Sequence, residues 1–320
     1  MWKKKTSMLA SATIMALIAT AFFLPGLTDA GEMEPTAPPG PTMKTLDKIE
    51  PRIPISSLPY DISAPGSYYL TGELTGSVGV RVLTDNVTID LMGYSLIGDS
   101  SEDGIWMSNR TNVEIRNGTI RGFNYGIYAG GTNSNHNRVI NVRVVDNGTQ
   151  GIYLGSKNNL VKECTALNNG SVGIDVGGYS VVIGNTSSNN REFGIRANSG
   201  SVVNQNTASV NDRTGIAINS CCATVSNNTV VGNGEYGINA GSYSTVINNV
   251  ARNSKLSGIK AGIASTVKGN TVTYSQNYGI ELAGFSLVDG NTTYDNNQSG
   301  GAYTNMNTCA TCVFGINVAP

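Results

Sequence analysis

The stretch GIDVGGYSVVIGNT at residues 173–186 returns with few changes as GINAGSYSTVINNV at residues 237–250. Both stretches begin with Gly-Ile, and this pair recurs about every 21 or 22 residues, apart from one step of 25 residues. The recurring glycines are Gly104, Gly126, Gly151, Gly173, Gly194, Gly215, Gly237, Gly258 and Gly279. A fixed period of this length is typical of solenoids, in which each repeat forms one coil and packs on its neighbours. The repeat therefore predicts one continuous solenoid.

Three positions recur within each repeat. The first is the Ile after the Gly, and the second is a valine that usually lies nine or ten residues after the Gly: Val113, Val161, Val182, Val203, Val225, Val246, Val267 and Val288, with Val87 and Val139 in the irregular early coils. The third is an asparagine three residues after that valine: Asn185, Asn206, Asn228, Asn249, Asn270 and Asn291. Alternation along a strand turns the Ile and Val inward. Stacked asparagines can satisfy one another as a ladder, whereas we expect Asn233 to lie in a looser turn.

Other solenoid classes need patterns that this sequence lacks. The leucine-rich repeat requires Leu-x-x-Leu-x-Leu, the left-handed β-helix runs on six-residue repeats, and one calcium-binding class requires Gly-Gly-x-Gly-x-Asp. Over roughly residues 55–310 the sequence resembles the right-handed parallel β-helix family of the pectin-lyase-like superfamily, in its secreted bacterial form. The resemblance implies an all-β fold, a single right-handed parallel β-helix solenoid of roughly ten coils with terminal caps.

The two ends of the chain depart from the repeat. Residues 1–30 have a basic start, an apolar run and small residues after it, which indicates a signal peptide; a retained membrane anchor is the alternative. Residues 31–44 are a Pro-rich spacer, residues 45–78 an N-terminal cap with a first partial coil, residues 79–299 the coils and residues 300–320 a C-terminal cap. We therefore expect a secreted, periplasmic or cell-surface protein with no stable membrane insertion after signal cleavage.

Composition and the positions of the cysteines indicate which partners, metals and disulfides to expect. Only 13% of the residues are charged and the net charge is −1, so nucleic acid is not an expected partner. No cofactor or metal is expected, because a metal site at Cys309 and Cys312 would need further Cys or His ligands and none lies near them in the sequence. Cys164 occupies the asparagine position of its coil, which predicts a buried thiol three coils away from Cys221 and Cys222, too far for a disulfide. Cys309 and Cys312 either pair in the C-terminal cap or stay free.

The resemblance also implies where chemistry would lie. Enzymes of this superfamily cut or epimerise acidic polysaccharides on the outer face of the stack, and its alginate epimerases carry an Asp-Pro-His-Asp stretch that this sequence lacks. The outward position after the Ile places Asp175 beside Arg196 and Lys260 beside Glu281, which predicts ion pairs that stabilise the stack. No two carboxylates share a register on adjacent regular coils, so the sequence predicts no acid–base pair.

The same outward position is aromatic in three successive coils, which would make a flat, exposed strip beside the loop of the 25-residue coil. Such a strip is either a platform for sugar rings or ordinary cross-strand packing. The candidate ligand-binding residues are Trp106, Tyr128 and Tyr153 in the strip and Asn133, Asn135, His136 and Asn137 in the loop. The leading hypothesis is a non-catalytic protein that binds a polysaccharide or a cell-envelope glycan. The alternatives are a polysaccharide lyase, hydrolase or epimerase, and a purely structural rod.

Overall fold

The computed structural model describes residues 51–300, 305–307 and 309–319. The repeats belong to one unit, Arg52–Pro320. The predicted signal peptide at residues 1–30 and the predicted spacer at residues 31–44 lie outside the described residues. Within the described ranges, no helix is long and apolar enough to cross a membrane.

Each Gly-Ile phrase opens a short strand of one parallel sheet, here called the small sheet. Neighbouring strands pair in parallel with isoleucine beside isoleucine, as in the pairing of Ile174 with Ile195. The eleven described strands are Tyr60–Ile62, Val80–Val82, Ile105–Trp106, Ile127–Ala129, Ile152–Leu154, Ile174–Val176, Ile195–Ala197, Ile216–Ile218, Ile238–Ala240, Ile259–Ala261 and Ile280–Leu282.

The rest of each coil contributes to a second parallel sheet, here called the large sheet. Most coils enter it twice, before and after the corner that holds the recurring asparagine. Its 22 described strands are Ile53–Ile55, Gly66–Leu70, Leu74–Thr75, Val87–Asp90, Ser95–Ile97, Val113–Arg121, Arg138–Val145, Leu160–Lys162, Thr165–Leu167, Val181–Ile183, Thr186–Ser188, Val202–Asn204, Thr207–Ser209, Thr224–Ser226, Thr229–Val231, Thr245–Ile247, Val250–Arg252, Thr266–Lys268, Thr271–Thr273, Leu287–Asp289, Thr292–Tyr294 and Val313–Phe314. The architecture is the predicted all-β parallel β-helix.

The core consists of the predicted isoleucine and valine rows. The isoleucines of the nine Gly-Ile phrases are fully buried, and so are the valines of the regular coils. In the early coils, however, Val139 is aligned with Ile115 and Ile89, while Val87 and Val113 form a separate buried row. In the coil of Gly104 the corner after the small sheet is longer, so a count of nine residues from the glycine reaches Val113 instead of Ile115. In the coil of Gly79, Val87 lies two residues before the row residue Ile89.

The predicted asparagine ladder runs through the corner of the large sheet. The side-chain oxygen of Asn228 accepts from the backbone N–H and the side-chain amide of Asn206, at 2.9 and 3.0 Å. Its own amide donates to the oxygen of Asn249 at 2.9 Å. Asn317 adds a rung at the C-terminal end, and the backbone N–H of Cys164 donates to Asn185 at the other end.

A second buried ladder lies five residues after the first and contradicts the expectation for Asn233. That side chain is fully buried. Its oxygen accepts from the backbone N–H and the amide of Asn211, both at 3.0 Å. The ladder contains Asn147, Asn169, Asn190, Asn211 and Asn233. The turn at Asn233 is thus a buried, hydrogen-bonded corner like the first, because buried backbone groups need partners, although the Asn233 side chain makes three hydrogen bonds against four for Asn228.

The predicted burial of Cys164 is confirmed, the pairing left open for Cys309 and Cys312 is present, and a bond between Cys221 and Cys222 was not predicted. Cys164 is the free cysteine of the described residues and is buried, and burial raises the pKa of its thiol to about 12. Cys309 and Cys312 form a disulfide, and Cys221 is joined to its neighbour Cys222.

Candidate functional site

The structure brings the three predicted aromatic residues together in one outward row. Tyr128 is paired in register with Trp106 on one side and with Tyr153 on the other. The rings of Tyr128 and Tyr153 are 5.5 Å apart and tilted by 40°, and all three side chains are half-buried. The expected flat, exposed strip is therefore a tilted and partly covered cluster.

Tyr125, which was not predicted to belong to the strip, partly covers the rings of Tyr128 and Tyr153. Its ring lies 4.9 Å from Tyr128 in an edge-to-face contact and 6.2 Å from Tyr153. Trp106 has a different environment, because it lines a separate groove of about 280 Å³ with Arg81 and other residues. The three predicted residues thus share a register, but Tyr128 and Tyr153 pack with Tyr125 whereas Trp106 lines a separate groove.

The loop of the 25-residue coil uses most of its polar side chains internally. Asn137 is fully buried, and its amide group accepts from and donates to the backbone of the preceding coil. The side-chain oxygen of Asn135 accepts from the Ser156 hydroxyl at 2.6 Å. Asn133 and His136 are exposed.

A groove of about 640 Å³ begins at this loop and follows the corner after the small sheet. Tyr153, Lys157 and Tyr179 line it, together with small residues. The floor needs glycine: a Cβ on Gly155 would lie 2.5 Å from the Tyr153 hydroxyl, and one on Gly177 would lie 1.9 Å from a backbone oxygen. The two glycines therefore let the Tyr153 phenol and the backbone of the preceding coil approach closely, and the groove is lined by small residues between two tyrosines and Lys157.

Charges next to the groove form the predicted pair. The carboxylate of Asp175 accepts from the guanidinium of Arg196 at 2.5 Å, and Asp175 is 4% exposed. That hydrogen bond raises the pKa of Arg196. Burial, and next the Asp175 carboxylate, raise the pKa of the Tyr153 phenol above its usual value. The phenol thus stays protonated at neutral pH and can donate a hydrogen bond.

A second groove of about 430 Å³ lies along the same corner in later coils. Its lining includes the predicted pair Lys260 and Glu281, whose charged atoms are 2.8 Å apart. The Lys260 ammonium also lies 5.1 Å from the ring centre of Tyr236. In this groove the charge of Lys260 is therefore neutralised by Glu281, whereas the first groove is lined by the ammonium-bearing side chain of Lys157.

A further charged group lies on the outer face of the large sheet. Arg116 binds both Asp90, at 3.0 Å, and Glu114, at 3.2 Å, and Arg138 also binds Glu114. Both carboxylates are buried, and the other oxygen of Asp90 accepts from the Met92 backbone N–H and the Asn117 amide. Among the described residues, no group of three or more His, Cys, Asp or Glu side chains could hold a metal ion.

Sequence reasoning missed the groove residues Lys157, Tyr179 and Asn198. They lie at the corner, beyond the strand where inward and outward alternate, so strand periodicity does not place them. One signal was available. Tyr179 aligns in the repeat with Asn158 and Gly200, and these residue types favour a left-handed backbone.

Comparisons with known proteins identify the family to which the fold belongs. A family model described as "Right handed beta helix region" matches residues 73–178 and 103–256, which together span more than half of the chain. A search of curated proteins finds no match. The A-module of the mannuronan C-5 epimerase AlgE4 from Azotobacter vinelandii has 15% identity and a TM-score of 0.58, over 82% of this chain and 83% of that one.

Two other solved structures are similar. The catalytic domain of a GH87 α-1,3-glucanase in complex with tetrasaccharides has 13% identity and a TM-score of 0.58, over 83% of this chain and 64% of that one. The Dettilon tailspike protein has 15% identity and a TM-score of 0.52, over 80% of this chain and 61% of that one. At these identities the likeness concerns the fold.

Proposed function

We propose that this chain, which belongs to the right-handed β-helix family, binds a polysaccharide in the groove lined by Tyr153, Lys157 and Tyr179. One observation carries the proposal: Tyr153, Tyr179 and Lys157 line one groove of about 640 Å³, whose other lining residues are mostly glycine and serine. Two proteins of similar fold are named for enzymes of mannuronan and of α-1,3-glucan. Those names support a polysaccharide as the class of ligand.

The chemistry of the groove suits a sugar chain. Tyr179 is 64% exposed, so its ring can cover the apolar face of a pyranose, a contact of about 1 kcal/mol. The amide of Asn198 and the hydroxyl of Ser199 line the same groove and can bond to sugar hydroxyls. The Lys157 ammonium favours a sugar that carries a carboxylate. Binding per sugar would be weak and would grow with chain length.

The residues predicted from the sequence take different roles in this proposal. Tyr153 contacts the ligand, and Tyr128 supports it through the ring cluster. Gly131 and Thr132 line the loop end of the groove, and the exposed Asn133 and His136 of the same loop would add hydrogen bonds to a ligand that extends beyond it. We further propose that the protein acts outside the cytoplasm, in the periplasm or at the cell surface, where such glycans occur.

The test is retention of the full-length mature protein in native gels that contain neutral or uronate polysaccharides. We expect retardation by at least one polysaccharide and its loss in Tyr179→Asn, since Asn158 holds the same corner position in the preceding coil. Tyr294→Ala is the matched control, because this 52% exposed tyrosine lies on the large sheet. No retardation by any polysaccharide would refute the proposal, and so would equal retardation of wild type and Tyr179→Asn.

A second candidate function is a polysaccharide lyase, hydrolase or epimerase acting in the same groove. The favouring observation is the position of Tyr153, which lines the groove beside the Asp175–Arg196 pair, since a positioned phenol can exchange a proton with a substrate. The measurement follows absorbance of unsaturated products and formation of reducing ends, with and without calcium. Product formation that Tyr153→Phe abolishes would favour the enzyme, and no product would leave the binding function alone.

A further inference from the structure

One corner position after the small sheet has a left-handed backbone in successive coils. The backbone N–H of this residue donates to the next coil, for example from Tyr179 to Ser199 and from Tyr243 to Ile263, at 2.8 Å in both cases. The φ angles are +59° at Asn158, +54° at Tyr179, +69° at Gly200, +65° at Cys222, +55° at Tyr243, +55° at Ala264 and +62° at Phe285. We call this row the corner column.

Three members of the corner column are aromatic and largely exposed. Tyr179 and Tyr243 are each 64% exposed, and Phe285 is 70% exposed. A left-handed backbone disfavours bulky side chains, and exposure gives their rings no core contacts. The ring of Tyr179 contacts Gly200 of the next coil, where an added Cβ would lie 2.6 Å from the ring. The left-handed backbone and the core nevertheless do not favour aromatic residues here, since asparagine or glycine serves the fold in other coils. Such strain at an exposed position points towards a function.

The column continues from the proposed glycan groove. Tyr179 lines that groove, and the second groove, lined by Ser242 and Lys260, lies in the coils around Tyr243. At ~4.8 Å per coil, Tyr243 is ~14 Å beyond Tyr179, and Phe285 is ~10 Å further along. The three rings thus form spaced contacts over ~24 Å of the stack.

The surface between the rings distinguishes possible ligands. The intervening column members are Gly200, Cys222 and Ala264, and polar residues such as Ser220 and Ser242 adjoin them. A lipid surface or an apolar protein partner would favour a continuous apolar patch. Isolated aromatic faces separated by small and polar groups instead match a chain of pyranose rings, which alternates apolar faces with hydroxyl edges.

We infer that Tyr179, Tyr243 and Phe285 form a row of subsites for one extended polysaccharide chain that lies parallel to the stacking axis. The inference rests on the proposed function and extends it, because it specifies the length and direction of the ligand. A short oligosaccharide fills only the groove at Tyr153 and Tyr179. A longer one reaches Tyr243 and then Phe285, so affinity rises with length in steps.

The test is calorimetric titration of the full-length mature protein with a length series, from disaccharide to decasaccharide, of the polysaccharide retained in the gels. The variants are Tyr243→Asn and Phe285→Asn, in which asparagine suits the left-handed backbone. We expect each to lose about fivefold in affinity for the longest oligosaccharides and to match wild type for the shortest. Ala264→Asn is the control, because it adds the same side chain to the column without removing a ring.

The outcomes separate this inference from the proposed function. If both variants bind long and short oligosaccharides as wild type does, the corner column is not a subsite, while binding in the first groove stands. If wild type binds no oligosaccharide of the series, both fail. Flotation with neutral phosphatidylcholine vesicles tests a lipid surface. Vesicle binding that Phe285→Asn abolishes, with unchanged affinity for long oligosaccharides, would overturn the inference in favour of lipid.

Discussion

Replacing Asn228 by alanine removes one rung from the centre of the first asparagine ladder. The side chain is 1% exposed and takes part in four hydrogen bonds. Two come from Asn206, one goes to the backbone oxygen of Val203, and one goes to Asn249. Alanine leaves the donors of Asn206 and the oxygen of Val203 without these partners in a buried corner.

The magnitude follows from those bonds. Each net hydrogen bond contributes about 1 kcal/mol, so Asn228→Ala should lower the free energy of unfolding by about 4 kcal/mol. Asn233→Ala, in the second ladder, loses three bonds and should cost about 3 kcal/mol. Both values are large against the 5–15 kcal/mol that is typical of folded domains.

The assay is guanidinium denaturation followed by circular dichroism, with Asn239→Ala as the control. Asn239 points outward from the small sheet at the position that Ala217 holds in the neighbouring coil, so the control should stay within about 0.5 kcal/mol of wild type. A change below about 1 kcal/mol at Asn228, or equal changes at Asn228 and Asn239, would refute the ladder as a source of stability.

Three further predictions concern the core and the cysteines. Val225→Asp places an unpaired charge at a fully buried position, so soluble folded protein should be lost. A melting curve like that of the wild type would mean that Val225 points outward and that the inward and outward positions of its strand are wrongly assigned. Cys164, with a pKa raised to about 12, should resist iodoacetamide at pH about 8 in the native protein and react after unfolding; rapid native alkylation would refute its burial. The peptide that carries Cys309 and Cys312 should lack two hydrogens in a mass spectrum without reductant, whereas free thiols at both sites would exclude the bridge.

The fold could be predicted because the repeat fixes the strand phase in every regular coil. Val225 and Asn228 occupy the expected places, since corners of constant length keep the count from the glycine valid. The count failed for Val113, where a longer corner displaces the row to Ile115. It also missed the ladder that contains Asn233, although Asn190, Asn211 and Asn233 each lie five residues after an asparagine of the first ladder.

The candidate site was only partly predictable, for a physical reason. Period-two alternation places Tyr128 and Tyr153 on the outer face, but it does not show that Tyr125 packs against them. Side chains at corners point where the left-handed backbone directs them, so Tyr179 was not connected with the site. Asn137 was predicted to supply hydrogen bonds to a ligand, yet its buried amide bonds to backbone groups of the preceding coil, because buried turns need such partners.

The most direct test of the account is a crystal structure of the wild-type protein with the longest oligosaccharide that it retains. The account predicts sugar rings in the groove between Tyr153 and Tyr179, with one ring stacked on the exposed face of Tyr179 and the chain running towards Tyr243. Sugar bound on the large sheet, or across the stack away from Tyr179, would contradict it.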